Sequence, residues 1–281
     1  MSLTSRLKTD NQLKQWLHTH LPLGTVCTQL DLHNSQMRSQ KKLVRPLGKI
    51  NYLLGGMAFT YAFRWWLFGS LYKWLPDTVA WKGFSGEKSR QFFMDHFSEP
   101  SALGAIYLAL MDKSWRRNED VYYPEYGLES LSELYPYMEA TVLDVKNLLD
   151  TIDSTFAHER YAPIYSQPVM VNPSFSGSWL VGGADAQLIL SGILMDIRTT
   201  IRPEPATLTN FYQQICYFLL DLEDEYGIDY FSWYYSRQRA CFMYPVNLFV
   251  PDAKRLRSEF FEFLAQDNPV PVVDMSYGIL P

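Results

Sequence analysis

Residues 182–200 constrain the fold more than any other stretch of this chain; they read Gly-Gly-Ala-Asp-Ala-Gln-Leu-Ile-Leu-Ser-Gly-Ile-Leu-Met-Asp-Ile-Arg-Thr-Thr. Leu188, Leu190, Ile193, Leu194, Met195 and Ile197 give two apolar strands, and Ser191-Gly192 has the chemistry of a two-residue hairpin turn. Each strand is expected to carry one carboxylate, Asp185 on the first and Asp196 on the second, facing each other near one end. Two acids so placed repel unless a cation stands between them, and hard oxygen donors suit Mg²⁺ or Mn²⁺. Arg198 follows Asp196 by two residues, so strand alternation puts both on one face. An unpaired carboxylate inside an apolar run is costly to bury, which makes a shared metal or Arg198 the expected partner of these acids. A cation beside two acids is what phosphodiester cleavage requires.

The order Asp, hairpin, Asp-Ile-Arg resembles the signature of the PD-(D/E)xK nucleases, with Asp185 as the first acid, Asp196 as the second and Arg198 in the place of the lysine. Gln213-Gln214-Ile215-Cys216-Tyr217 follows on an amphipathic helical stretch and resembles the Gln-x-x-x-Tyr motif of the RecB-like branch. Gln213 and Tyr217 lie one helical turn apart, so both can point at one cleft. Upstream, Gly56 is followed four residues later by Thr60, where RecB-like proteins often carry a histidine or acid that completes the metal shell. The resemblance spans roughly residues 50 to 240. It implies a restriction-endonuclease-like α/β fold, a mixed sheet flanked by helices, and metal-dependent DNA cleavage. Under it Asp185 and Asp196 ligate Mg²⁺ or Mn²⁺, Arg198 stabilises charge on the phosphate, and Gln213 and Tyr217 position hairpin and nucleic acid. Arginine cannot surrender a proton near neutral pH, so Arg198 can serve as neither acid nor base. Arg198 and Thr60 also favour an alternative, a nuclease fold without catalysis that serves nucleic-acid binding or assembly.

The flanking sequence sets the frame. The expected order is helices, then strand, strand, helix, strand, strand, helix: an α/β core preceded by an aromatic-rich helical lobe, at residues 126–281 and 1–125. Leu13, Trp16 and Leu17 mark an apolar helix face, and Leu131, Leu134, Met138, Val142, Val145 and Leu148 mark a helix within residues 128–152. Residues 166–175, rich in proline and asparagine, read as extended chain, and the acidic Asp224-Glu225-Tyr226-Gly227 stretch reads as a helix stop. Ile228 to Tyr235 pairs with Ala240 to Leu248, and Ala253 to Gln266 closes the chain as a helix. Aromatic residues reach 16% and concentrate between Tyr52 and Trp81, which points to core packing or a protein interface.

Charge and cysteine usage exclude several classes. A formal charge of −5 is the wrong sign for a protein that coats DNA non-specifically, so contact with nucleic acid has to be local. Two basic groups, Arg38, Lys41, Lys42, Arg45 and Lys49, and Arg237, Arg239, Lys254, Arg255 and Arg257, read equally as phosphate contacts or solvated faces. Three scattered cysteines, Cys27, Cys216 and Cys241, exclude a zinc ribbon or disulfide-stapled fold and suit a reducing cytoplasm. The N-terminus lacks an apolar signal core. Tyr52 to Tyr72 is long and apolar, but a central Arg64 and Gly55-Gly56 mark it as a buried helix, and no membrane is expected as a partner. Of the five histidines, His18, His20, His33, His96 and His158, the first two are expected in surface or interface roles and His158 in a loop.

Overall fold

A computed structural model of the chain describes residues 2–40, 43–68, 75–83, 86–117, 137–156 and 169–267. Five strands lie side by side in chain order: β1 (Val169–Val171), β2 (Leu188–Leu190), β3 (Ile193–Arg198), β4 (Tyr230–Tyr235) and β5 (Ala240–Pro245). Neighbours are antiparallel except β3 and β4, which run parallel in the register Asp196 to Trp233 and Arg198 to Tyr235. The sheet is therefore mixed, as expected. Leu190 pairs with Ile193, and the two residues between them, Ser191 and Gly192, have φ of 45° and 78°. Positive φ at both positions is what a twist-matched two-residue hairpin demands. A side chain at Gly192 would also meet the Gly227 carbonyl oxygen at 3.0 Å, so glycine here lets the hairpin tip seat the start of β4.

The helices are α1 (Leu3–Thr9), α2 (Asn11–His20), α3 (Leu23–Gln40), α4 (Tyr52–Phe68), α5 (Val79–Gly83), α6 (Gly86–His96), α7 (Ala102–Arg117), α8 (Met138–Leu149), α9 (Ile152–Phe156), α10 (Leu208–Leu220) and α11 (Ala253–Asp267). A parallel pair needs a crossover, and α10 supplies it between β3 and β4. Thr207 and Asn210 open α10 with reciprocal side-chain to backbone caps.

Strand alternation divides the core in two. Ile193, Met195 and Ile197 pack with α4, α7 and α8, while Leu194, Phe231 and Trp233 pack with α10 and α11. Leu3, Leu7, Leu13, Trp16 and Leu17 belong to the second cluster, so α1 and α2 lie with the C-terminal helices and apart from the aromatic α4. The expected boundary near residue 125 falls in 118–136, outside the described residues. So does the part of the 128–152 helix before Tyr137. Leu13, Trp16 and Leu17 are buried as their spacing predicts.

Val169–Val171, within the stretch read as extended chain, is an edge strand of three residues paired to β2. Other expectations need correction. The helical run stops at Leu220 rather than at 224–227, where Asp221 instead accepts from the Glu225 and Tyr226 amides in a turn. Among the described residues no helix is long and apolar enough to cross a membrane. α4 buries Phe59, Phe63 and Trp65 inside the protein, and Arg64 beside them donates from Nη2 to the Gln187 carbonyl at 2.8 Å. The second basic group is dispersed: Arg237 is buried, Arg257 pairs with Asp224 and Arg255 with Asp252 and Glu259. In the first group Arg38 pairs with Glu204, and Lys41 and Lys42 lie outside the described residues.

Two buried polar features carry predictions. Arg237 meets Asp144 of α8 through two parallel bonds, Nη1 to Oδ1 at 2.9 Å and Nη2 to Oδ2 at 2.6 Å, with both side chains only 1% exposed. This pair ties α8 to the β4–β5 turn. Asp144→Ala strands a buried guanidinium and should lower unfolding free energy by about 3–5 kcal/mol in urea titrations. His33 is fully buried, stacked on Phe242 at 3.8 Å and ringed by Phe211, Trp233, Tyr235 and Tyr244. Burial pushes its pKa down to about 3. The unfolded chain, with an imidazole pKa of about 6.5, then binds the proton more tightly, so His33 costs stability as pH falls from about 6.5 toward 3. His33→Phe should flatten the stability curve across that window, as measured by urea unfolding at stepped pH.

Candidate active site

Asp196 lies on β3 with Leu194, on the face covered by α10, and is only 7% exposed. Arg198, on the same face, donates from Nε to Asp196 Oδ2 at 2.5 Å and from Nη2 to Gln213 Oε1 at 2.7 Å. Gln213 passes the chain on, donating from Nε2 to the Tyr217 hydroxyl at 2.8 Å and to Thr4 Oγ1 at 3.2 Å. Four of the five sequence-predicted residues thus form one unbroken hydrogen-bonded row from strand to helix. Gln214 braces it, donating to the carbonyls of Leu194 and Ser232 at 3.4 and 3.1 Å.

Burial sets the protonation states. It raises the Asp196 pKa above the usual carboxylate value, a rise that Arg198 only partly offsets. Burial works against the charge on Arg198, but Asp196 outweighs it and the guanidinium pKa rises. Burial pushes Tyr217 up to about 12, with the charges of Asp196 and Asp185 adding to the rise, so the phenol keeps its proton at neutral pH.

Asp185 corrects the face-to-face expectation. It sits before β2, bridged to Ser174, rather than on the strand itself. Its Oδ2 accepts from Arg116 Nη2 at 3.0 Å. Arg116 also donates from Nε to Asp112 Oδ1 at 2.6 Å, and Tyr61 donates to Asp112 Oδ2 at 2.8 Å. Extending the hairpin register puts Gln187 opposite Asp196, and the Gln187 side chain takes over the ladder there, accepting from the Ile197 amide at 2.7 Å. Each acid therefore has its own arginine, Arg116 for Asp185 and Arg198 for Asp196. The pairing of Asp112 with Arg116 was readable as an i, i+4 helix pair, but nothing local joins Arg116 to an acid 69 residues later.

Thr60 lies on α4 beside Arg198, and both line an open cleft of about 510 Å³. Its hydroxyl donates to the Gly56 carbonyl at 3.2 Å, within its own helix. Among the described residues no group of three or more histidine, cysteine, aspartate or glutamate side chains is arranged to hold a metal ion. Two carboxylates are still a set of the type a divalent ion uses, since Mg²⁺ keeps several waters and needs only one or two acids. Both ion pairs engage Oδ2 and leave each Oδ1 outside these bonds. The Arg116–Asp185 contact is 46% and 38% exposed at its two ends, the weak kind that a cation displaces. Carboxylate oxygens are donors of the type Mg²⁺ or Mn²⁺ takes, and each of these two acids is already engaged by a guanidinium.

No protein-family model, no curated protein and no solved structure matches the chain.

The row predicts a pH signature. Arg198→Ala leaves Asp196 buried without its cation and should destabilise the fold by about 3–5 kcal/mol at neutral pH. The folded-state pKa of Asp196 then lies further above its unfolded value. The folded form gains the proton more readily, so the deficit should shrink as pH drops through that raised pKa. Equal deficits at neutral and acidic pH in urea titrations would count against the ion pair.

Proposed function

We propose that the chain is a metal-dependent nuclease of the RecB-like PD-(D/E)xK type, acting on phosphodiester bonds of DNA. The observation that carries this reading is the continuous row Asp196, Arg198, Gln213, Tyr217, which joins the hairpin motif to the helix motif. The mixed sheet covered by helices on both faces supports it further. Asp185 and Asp196 would hold Mg²⁺ or Mn²⁺, which supplies a bound water of lowered pKa and Lewis acidity toward the phosphate.

The protein's own groups have separable tasks. Asp196 and Gln213 hold Arg198 by two of its nitrogens, Nε and Nη2, which fixes the guanidinium of a residue that lines the cleft. A fixed guanidinium stabilises charge that builds on phosphate oxygens without reorganising first. Tyr217 stays protonated and serves as a hydrogen-bond donor. Neither group abstracts a proton at neutral pH.

A second reading, a nuclease fold that binds nucleic acid or assembles without cutting, is favoured by one observation: both acids already carry an arginine. Metal titration separates the two. Mn²⁺ should bind the wild type weakly by calorimetry, and Arg116→Gln, which removes a like charge, should tighten binding on the order of tenfold. Linear, circular and single-stranded DNA should be cleaved with Mn²⁺, and Asp185→Ala and Asp196→Asn should abolish cleavage and metal binding together. Absence of both activities in wild type and in Arg116→Gln overturns the nuclease reading in favour of the second.

A further inference from the structure

The cleft beside Arg198 has a composition that phosphodiester hydrolysis alone does not explain. Its lining includes two arginines, Arg198 and Arg202, and no acid, in a chain whose formal charge is −5. Arg198 is pre-positioned by Asp196 and Gln213. Arg202 is exposed, and its guanidinium forms no ion pair among the described residues. Between them lies Thr200, whose Oγ1 accepts from the Arg202 amide at 3.2 Å and keeps its own proton to donate. Two guanidiniums and a hydroxyl around one opening make an anion site suited to phosphate.

Tyr52 and Leu53, in the first turn of α4, line the same cleft and are 47% and 58% exposed, with the Arg237 guanidinium 6.0 Å from the Tyr52 ring centroid. A flat aromatic ring beside a phosphate site is how a protein holds an unstacked base. The volume of about 510 Å³ falls in the range that holds one small ligand.

We propose that this cleft binds a single unpaired nucleotide without a metal, its phosphate on Arg198, Arg202 and Thr200 and its base against Tyr52 and Leu53. The inference deepens the nuclease reading by naming the part of a strand that the cleft holds: an unpaired residue next to the scissile bond.

The test is calorimetry in EDTA with thymidine 5′-monophosphate and a 5′-phosphorylated oligothymidylate, using wild type, Arg202→Ala and Tyr52→Ala. Both ligands should bind wild type. Thymidine without phosphate should bind at least tenfold more weakly, and inorganic phosphate should compete. Arg202→Ala should weaken binding at least tenfold and flatten its salt dependence, while Tyr52→Ala should weaken the nucleotide but not inorganic phosphate. A blunt duplex bound as tightly as the single strand overturns the proposal, as does nucleotide affinity unchanged in both variants. Cleavage by wild type with no nucleotide binding in EDTA overturns the pocket and leaves the nuclease reading standing. Binding in EDTA without cleavage in Mn²⁺ supports the pocket and removes that reading.

Discussion

Burying a carboxylate on a strand that is covered on both faces is the constraint around which this structure is arranged. β3 has helices on either side, so Asp196 is largely shielded from bulk water and is answered within its own face. Arg198, two residues on, is the nearest group that can do so, but its guanidinium then needs acceptors of its own. Gln213 supplies one, and Tyr217 in turn satisfies Gln213. The need for partners thus propagates from strand to helix, and it fixes α10 in rotation and height against the sheet more sharply than apolar packing would. Gln214, bonded to carbonyls of both β3 and β4, adds a second polar fix on the same crossover.

This chain of needs explains what could be read from sequence. The turn Ser191-Gly192, the shared face of Asp196 and Arg198, and the one-turn spacing of Gln213 and Tyr217 are consequences of local periods, 2 for strands and 3.6 for helices. They were legible for that reason. Val169–Val171 was not, because three residues beside proline and asparagine carry too short an alternation to register. The arginine for Asp185 was not, because Arg116 reaches it from another helix through tertiary packing alone. His33 escaped for the same reason. Its polar ring gives no hint that five aromatic side chains close around it.

An arginine beside a carboxylate differs from a lysine in what it can do. A lysine would be a mobile point charge able to follow a substrate, whereas a guanidinium with two nitrogens committed is held in one plane. The gain is direction and the loss is proton chemistry. Arg116 imposes a softer version on Asp185, since that pair stays half in water. One acid is therefore firmly committed and the other only loosely, an asymmetry invisible in a motif that treats them as equivalents.

The placement of α1 has a consequence for the order in which the fold closes. Leu3 and Leu7 are buried against residues made much later; the Leu3 amide bonds the Gly183 carbonyl, and Thr4 accepts from Gln213, 209 positions downstream. At roughly 5–20 residues per second, the first helices wait on the order of ten seconds or more for the strands and crossover helix that cover them. In that interval Leu3, Leu7, Leu13 and Trp16 have nowhere native to go. The segment from Leu3 to Leu17 is accordingly among the last of the described elements to find its place.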